Sequence, residues 1–218
     1  MQIDVFSDLG CPWCYIGERR LDRALLLRPD VEAEWHWRPF LLQPDLPEQG
    51  MPWNAFVESK FGGMERARPM LERVTAVGAS DGLTFDFGRM ANAPNTTDAH
   101  RLILWAEGQG LQREMARALF RAYFAEGQDL ADRETLVAAA RTAGLDAEAA
   151  RAWLACSEAR AEVAASVEEA RRLGITGVPF YVLEGKWAIS GAQPVEVFEE
   201  AIAKVADAMP SAAEPPKA

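Results

Sequence analysis

Residues 2–21 read QIDVFSDLGCPWCYIGERRL, a strand signal, two cysteines and a helix signal in immediate succession. QIDVF alternates in polarity and stops at Ser7-Asp8, which predicts a short strand running straight into the cysteine pair. Beyond the pair, Tyr15, Ile16, Leu21, Leu25 and Leu26 fall near helical spacing, and Pro29 ends the segment. Cys11 thus stands near a helix N-terminus, where free backbone N–H groups and the helix dipole favour thiolate over thiol. Cysteines in such settings titrate at about 3.5–7.5, against about 8.5 for a free thiol. Cys14 shares the face of Cys11 one turn deeper, and can close a small disulfide with it. Cys11 is therefore the expected nucleophile and Cys14 the expected resolving thiol of a mixed disulfide. Pro12 suits the first helical turn, where its missing N–H costs little, and Trp13 adds apolar surface beside the sulfurs. Taken alone, a CxxC pair serves redox and metal chemistry about equally.

The remaining composition narrows the classes. No stretch of the 218 residues approaches the roughly 18 consecutive apolar positions of a membrane span, so no membrane partner is expected. A formal charge of -10 would repel a phosphate backbone, which argues against nucleic acid. The opening MQIDVFSDLG has neither the basic nor the apolar region of a secretory signal, and the expectation is a cytoplasmic protein. In that reducing compartment an odd count of three cysteines argues against a structural disulfide framework.

VEAEWHWRPFLL, with Val31, Ala33, Trp35 and Trp37 on one face, predicts a second strand leading into a proline-containing loop. From Trp53 to Gly174 the signals are helical, punctuated by glycine and capping residues; the final stretch, LDAEAARAWLACSEARAEVAASVEEARRLG, reads as one or two helices. Strand signals then return in VPFYVLEGKWAISG, a hairpin about Glu184-Gly185, before a last amphipathic helix with Pro194 in its first turn. This order is an α/β thioredoxin fold interrupted by an all-helical insertion. Residues 1–43 and 175–208 would form the discontinuous thioredoxin-like domain, 44–174 the insertion, and 209–218 a disordered tail.

A second active-site signal is TGVPFYV. Gly-Val-Pro immediately before a strand fits a cis-proline loop at Pro179, leaving the Val178 backbone open to pair with an extended substrate. Other chemistry-bearing residues have plainer readings. Asp8 suits a turn or cap, His36 an ordinary strand position, and Cys156 a semi-buried place in the series Trp153, Cys156, Arg160, Val163, Val167, Ala170. Zinc would need two more ligands, and Cys156, His36, His100 and the carboxylates form no second paired motif.

Together DLGCPWCYIGERRL, NAPNTTDAHRL, TGVPFYV and ISGAQP resemble the DsbA-like thioredoxin superfamily, and more closely its FrnE-like branch of dithiol-disulfide oxidoreductases. The resemblance implies nucleophilic Cys11, resolving Cys14 and a cis Pro179 beside them. It also implies that the segment with Asn95, Thr96 and His100 faces the site, so Asn95 and His100 join Pro12, Trp13, Val178 and Pro179 as expected substrate-binding residues. Partners would be substrate proteins or small thiols and disulfides. The redox-active Cys11–Cys14 pair would need no separate cofactor, with glutathione as a candidate reductant or ligand. Kappa-class glutathione transferases and 2-hydroxychromene-2-carboxylate isomerases share the N..AHR region and supply the alternative function. They generally carry serine at the position of Cys11 and no cysteine at that of Cys14, so two retained thiols favour dithiol exchange. Whether the pair oxidises, reduces or isomerises is left open by the resemblance.

Overall fold

The computed structural model describes residues 1–209, so the expected tail lies, apart from Met209, outside the described residues. Strands β1 (Gln2–Ser7) and β2 (Glu34–Pro39) flank helix α1 (Pro12–Leu26), and β5 (Phe180–Leu183), β6 (Trp187–Ser190) and α9 (Val195–Ala208) return at the end of the chain. Between them lie α2 (Trp53–Phe61), α3 (Met64–Ser80), α4 (Thr97–Glu107), α5 (Gln112–Phe120), α6 (Arg133–Thr142), α7 (Ala147–Ala155) and α8 (Arg160–Arg172). Two residue pairs the sequence reading missed, β3 (Met51–Pro52) and β4 (Asn92–Ala93), join antiparallel within the stretch 44–174. They are too short to show an alternating pattern.

The main sheet has the order β2-β1-β5-β6. β1 runs parallel to β2, with Val5 opposite Trp37, and antiparallel to β5, with Val5 opposite Tyr181. The β5–β6 hairpin turns through Glu184 and Gly185, at φ 51° and 62°, closed by a 3.1 Å bond from Lys186 N to Leu183 O. Positive φ at both central residues matches the right-handed twist of the strands, and Gly185 adopts it without a Cβ clash.

Alternate side chains of the sheet enter different interiors. Ile3, Val5, Tyr181 and Leu183 pack under Leu21 and Ala24 of α1 and under Phe198, Ile202 and Val205 of α9. On the other face Phe6, Phe180 and Val182 meet Ala170 of α8 and Ile175, and Ser166 of α8 donates to Pro39 O at 2.9 Å. α8 therefore covers the sheet although it lies within residues 44–174, so a cut at 174 separates this helix from the strands it packs on. A third and largest core joins Leu9, Cys14 and Ile16 to Leu102, Ile103, Met115 and Phe120 of the insertion.

α7 and α8 are separate helices, broken at Cys156–Ala159 with Ala159 at φ 60°. The cause is Arg101 of α4, whose fully buried guanidinium donates to Trp153 O (3.0 Å), Cys156 O (2.6 Å) and Glu158 O (2.6 Å) and pairs with Asp98. Binding those carbonyls takes them out of a continuous helical ladder. Cys156 is consequently exposed at the end of α7, its thiol donating to Trp153 O, rather than semi-buried along one stripe. α5 likewise does not run unbroken through Tyr123. It passes into a π-helical turn, Arg121–Ala125, and consecutive Tyr123 and Phe124 both face the interior. Among the described residues no helix is long and apolar enough to cross a membrane.

Candidate active site

Cys11 is the N-cap of α1, in an extended conformation, and Pro12 occupies the first helical position. The turn is set by two 3.0 Å backbone bonds, Cys11 N to Asp8 O and Cys14 N to Cys11 O. Both cysteines are free thiols, with 5% of Cys11 and 1% of Cys14 exposed. Burial, then the hydrogen bond and charge of Cys11, push the Cys14 thiol well above its ordinary range; bonds from Ser7 and the Asp8 backbone offset only part of this. Cys11 is thus the outer sulfur, and Cys14, the inner one, holds its proton.

The Val178–Pro179 peptide bond is cis, and the Cys11 thiol lies 3.5 Å from Val178 O, to which it donates. Pro179 is held in turn by a 2.8 Å bond from Gly191 N to its carbonyl. α1 can approach this loop because residue 17 is glycine. A Cβ there would lie 2.3 Å from Tyr181 Oη and 2.9 Å from Pro179 Cγ. Sequence reasoning passed over Gly17, and its signal was a glycine inside an otherwise regular helix, a position that costs stability unless close packing requires it.

Asp8 makes the expected turn and does more. Its Oδ1 accepts from Gly10 N (3.1 Å) and Thr96 Oγ1 (2.8 Å), and its Oδ2 from Leu42 N (2.7 Å). Burial pushes this carboxyl up, but the nearby His100 imidazole and hydrogen bonds from Leu42 N and Gly10 N outweigh burial and hold it below the ordinary carboxylate value. One buried side chain thereby ties the cysteine turn to the loop after β2 and to the start of α4.

His100 and Asn95 stand behind that tie, not at the open site. His100 is fully buried; Trp37 Nε1 donates to its Nδ1 at 3.0 Å, and an indole can only donate, so the proton sits on Nε2, 3.1 Å from Phe40 O and 3.6 Å from Asp8. The Asn95 amide donates to Leu46 O at 2.7 Å, and its oxygen accepts from Thr97 N at 3.0 Å at the start of α4. Neither Asn95 nor His100, both expected to bind substrate, lines the cleft beside Cys11, and each has polar atoms engaged within the protein. Thr96, between them, does reach the cleft. His36 is remote, 3.3 Å from Glu107.

The cleft beside Cys11 has a volume of about 320 Å³ and is walled by Trp13, Trp53, Phe56, Leu71, Val74 and Phe124. Trp53 stacks on Phe56 and Phe87 with ring centroids 5.6 and 6.4 Å apart. A wider hollow of about 670 Å³, lined by Trp37, Trp105 and Trp153, touches neither Cys11 nor Cys14. Among the described residues no cluster of three or more His, Cys, Asp or Glu side chains is arranged to hold a metal ion.

Residues 2–203 match the model of the DSBA-like thioredoxin domain family. A crystal structure of a probable DsbA oxidoreductase from Streptomyces coelicolor superposes with a TM-score of 0.85 at 34% identity, over 100% of this chain and 93% of that one. The uncharacterized protein YwbO of Bacillus subtilis is 29% identical over 206 residues, 93% of this chain and 96% of YwbO. A 2-hydroxychromene-2-carboxylate isomerase shares the fold, with a TM-score of 0.71 at 18% identity over 96% of this chain and 100% of that one. The extent of the family match, and the identity with the Streptomyces protein along the whole length, make this chain a member of the DsbA-like thioredoxin domain family.

Proposed function

We propose that this protein exchanges disulfides with protein or low-molecular-weight thiols through Cys11 and Cys14, as an oxidoreductase of the FrnE-like branch. The observation that carries the reading is the pair itself. A free thiol at the N-cap of α1 lies 3.5 Å from Val178 O, and a second, more buried thiol stands one turn behind it. Acting on a disulfide, Cys11 as thiolate attacks one substrate sulfur, the S–S bond breaks, and the departing thiolate takes up a proton. Cys14 then loses its proton and attacks the Cys11 sulfur, which releases the second substrate thiol and leaves a Cys11–Cys14 disulfide. Two electrons pass to the substrate; run backwards, the same steps oxidise it. Pro12 and Trp13 border the sulfurs, and Val178 and Pro179 offer backbone beside them for a bound substrate. Three cysteines in all, with Cys156 outside the site, fit work in a reducing cytoplasm, with glutathione as a reductant.

Replacing Cys11 by Ser should abolish insulin reduction driven by dithiothreitol, and Cys14→Ser should accumulate mixed disulfides visible by mass spectrometry. An unchanged rate in Cys11→Ser would overturn the proposal. Glutathione conjugation or isomerisation that survived Cys14→Ser would point instead to the transferase and isomerase class.

A further inference from the structure

Resting on dithiol exchange as the activity, we infer that the cleft beside Cys11 selects a small aromatic disulfide carrying an acidic group, in preference to glutathione disulfide or an extended peptide. Its volume of about 320 Å³ falls at the small end of the roughly 300–1,000 Å³ range of small-molecule sites. Its walls are rings and branched aliphatics. Trp53 and Phe56 of α2 stack at an interplanar angle of 27°, Trp53 and Phe87 at 10°, and Leu71 and Val74 of α3 complete the surface. Flat parallel rings of this kind receive another flat ring by offset stacking.

The polar groups at the cleft are few and mostly spent. Asp8 is 3% exposed with three donors already on its oxygens, and the Thr96 hydroxyl is one of those donors. The Tyr123 hydroxyl donates to Asn92 O at 3.3 Å, which leaves Gln43, Lys60 and the Trp53 indole N–H, buried without a hydrogen-bond partner among the described residues. Glutathione disulfide brings several carboxylates, ammonium groups and amides, and burying them against these walls would leave most unpaired, at high cost. An aromatic acid brings one ring and one charge per half.

Cations are placed for that charge. The Lys60 ammonium stands 5.7 Å from the Phe56 ring centroid, and the Arg73 guanidinium 6.0 Å from that of Trp13. Both Phe56 and Trp13 line the cleft. Asp8 and Lys60 are the charged side chains lining the cleft; Asp8 is buried and Lys60 exposed, so the charge offered to an incoming group at the rim is the Lys60 ammonium. Reduction there converts one aromatic disulfide and the Cys11–Cys14 dithiol into two aromatic thiols and the enzyme disulfide. Two electrons and two protons pass to the substrate, and dithiothreitol serves as the reductant for further turnovers.

The test is single-turnover stopped-flow of the pre-reduced protein against bis(carboxynitrophenyl) disulfide, neutral dipyridyl disulfide, glutathione disulfide, hydroxyethyl disulfide and insulin. Each rate is divided by that of dithiothreitol with the same compound, because aromatic thiolates are intrinsically better leaving groups. The normalised rate for the carboxylated aromatic disulfide should exceed those for glutathione disulfide and insulin at least tenfold. Met70 also lines the cleft, and Met70→Trp, which narrows it, should remove that advantage and leave hydroxyethyl disulfide unaffected. Lys60→Glu, at an exposed position, should slow the carboxylated compound several-fold and spare the neutral dipyridyl disulfide. Equal normalised rates across the panel, or indifference to both substitutions, would overturn the inference while leaving dithiol exchange intact. Failure to react with any of the five compounds would overturn dithiol exchange itself.

Discussion

Helix α1 divides two interiors of different character. Toward the sheet, Leu21 and Ala24 meet Ile3, Val5, Phe198 and Ile202, and every one of these is fully or almost fully buried. Toward the insertion, Tyr15 stacks on Phe120 with centroids 5.1 Å apart and meets Phe85 edge-on at 5.8 Å; Cys11 and Cys14 belong to the same cluster. That side also takes charge: Glu18 pairs with Arg117 at 2.7 Å, and Asp22 with Arg113 and Arg117. The sheet side holds the helix in place by close packing. The aromatic side leaves room next to a sulfur, since large rings meeting at several angles enclose a cleft where branched aliphatics would fill it.

The sharpest way to break the contrast is Phe198→Ala. This fully buried ring, T-shaped against Tyr181 at 5.0 Å, belongs to the sheet side, and its loss should cost about 3–5 kcal/mol by denaturant unfolding. Thiol reactivity of the protein that stays folded should be unchanged. Gly17→Ala comes next. The added methyl would meet Tyr181 and Pro179, so a loss of about 1–3 kcal/mol should accompany slower disulfide exchange, because α1 must retreat from the Pro179 loop. Stability loss at a normal exchange rate would show that this contact does not position the dithiol.

Two buried carboxyls on either side of the cysteine pair should respond to pH with opposite sign. Asp8 is held below its ordinary value, so its contribution is complete above an unfolded-state pKa of about 3.9 and is lost as pH falls toward the folded value. Asp8→Asn should cost about 2 kcal/mol near neutral pH and flatten the acid limb of a stability–pH curve. Glu18 is raised, burial outweighing Arg117, so its contribution is complete below about 4.3 and is lost as pH rises through the folded value. Relative to the parent, Glu18→Gln should therefore gain stability between acid and neutral pH. Parallel shifts in the two variants would contradict this assignment.

The smallest effect belongs to Tyr181→Phe. The Tyr181 hydroxyl is buried, has no hydrogen-bond partner among the described residues, and is pushed well above its ordinary pKa by burial and the nearby Cys14, Glu18 and Cys11. Removing it should change stability by no more than about 1 kcal/mol, in the stabilising direction, with exchange rates preserved. A large drop in rate would give the hydroxyl a part in moving the Cys14 proton.

Much of this was legible in one dimension because the signals are local. Alternation in QIDVF, the helical spacing after Cys14 and the Glu184-Gly185 turn each depend on residues within a few positions of one another. The motifs that carry the family likeness are equally local, and the order of elements was enough to assemble them into an interrupted thioredoxin fold. The surroundings of Asn95, His100, Asp8 and Gly17 were not legible because they rest on partners far along the chain. Asp8 works through Leu42 and Thr96, His100 through Trp37 and Phe40, and Gly17 through Pro179 and Tyr181. The break between α7 and α8 had the same origin, since Arg101, more than fifty positions upstream by number, takes the carbonyls a longer helix would have used. Backbone preference and thiol spacing are written in neighbouring residues; burial, charge balance and the shape of the cleft arise only where separated segments remove one another from water.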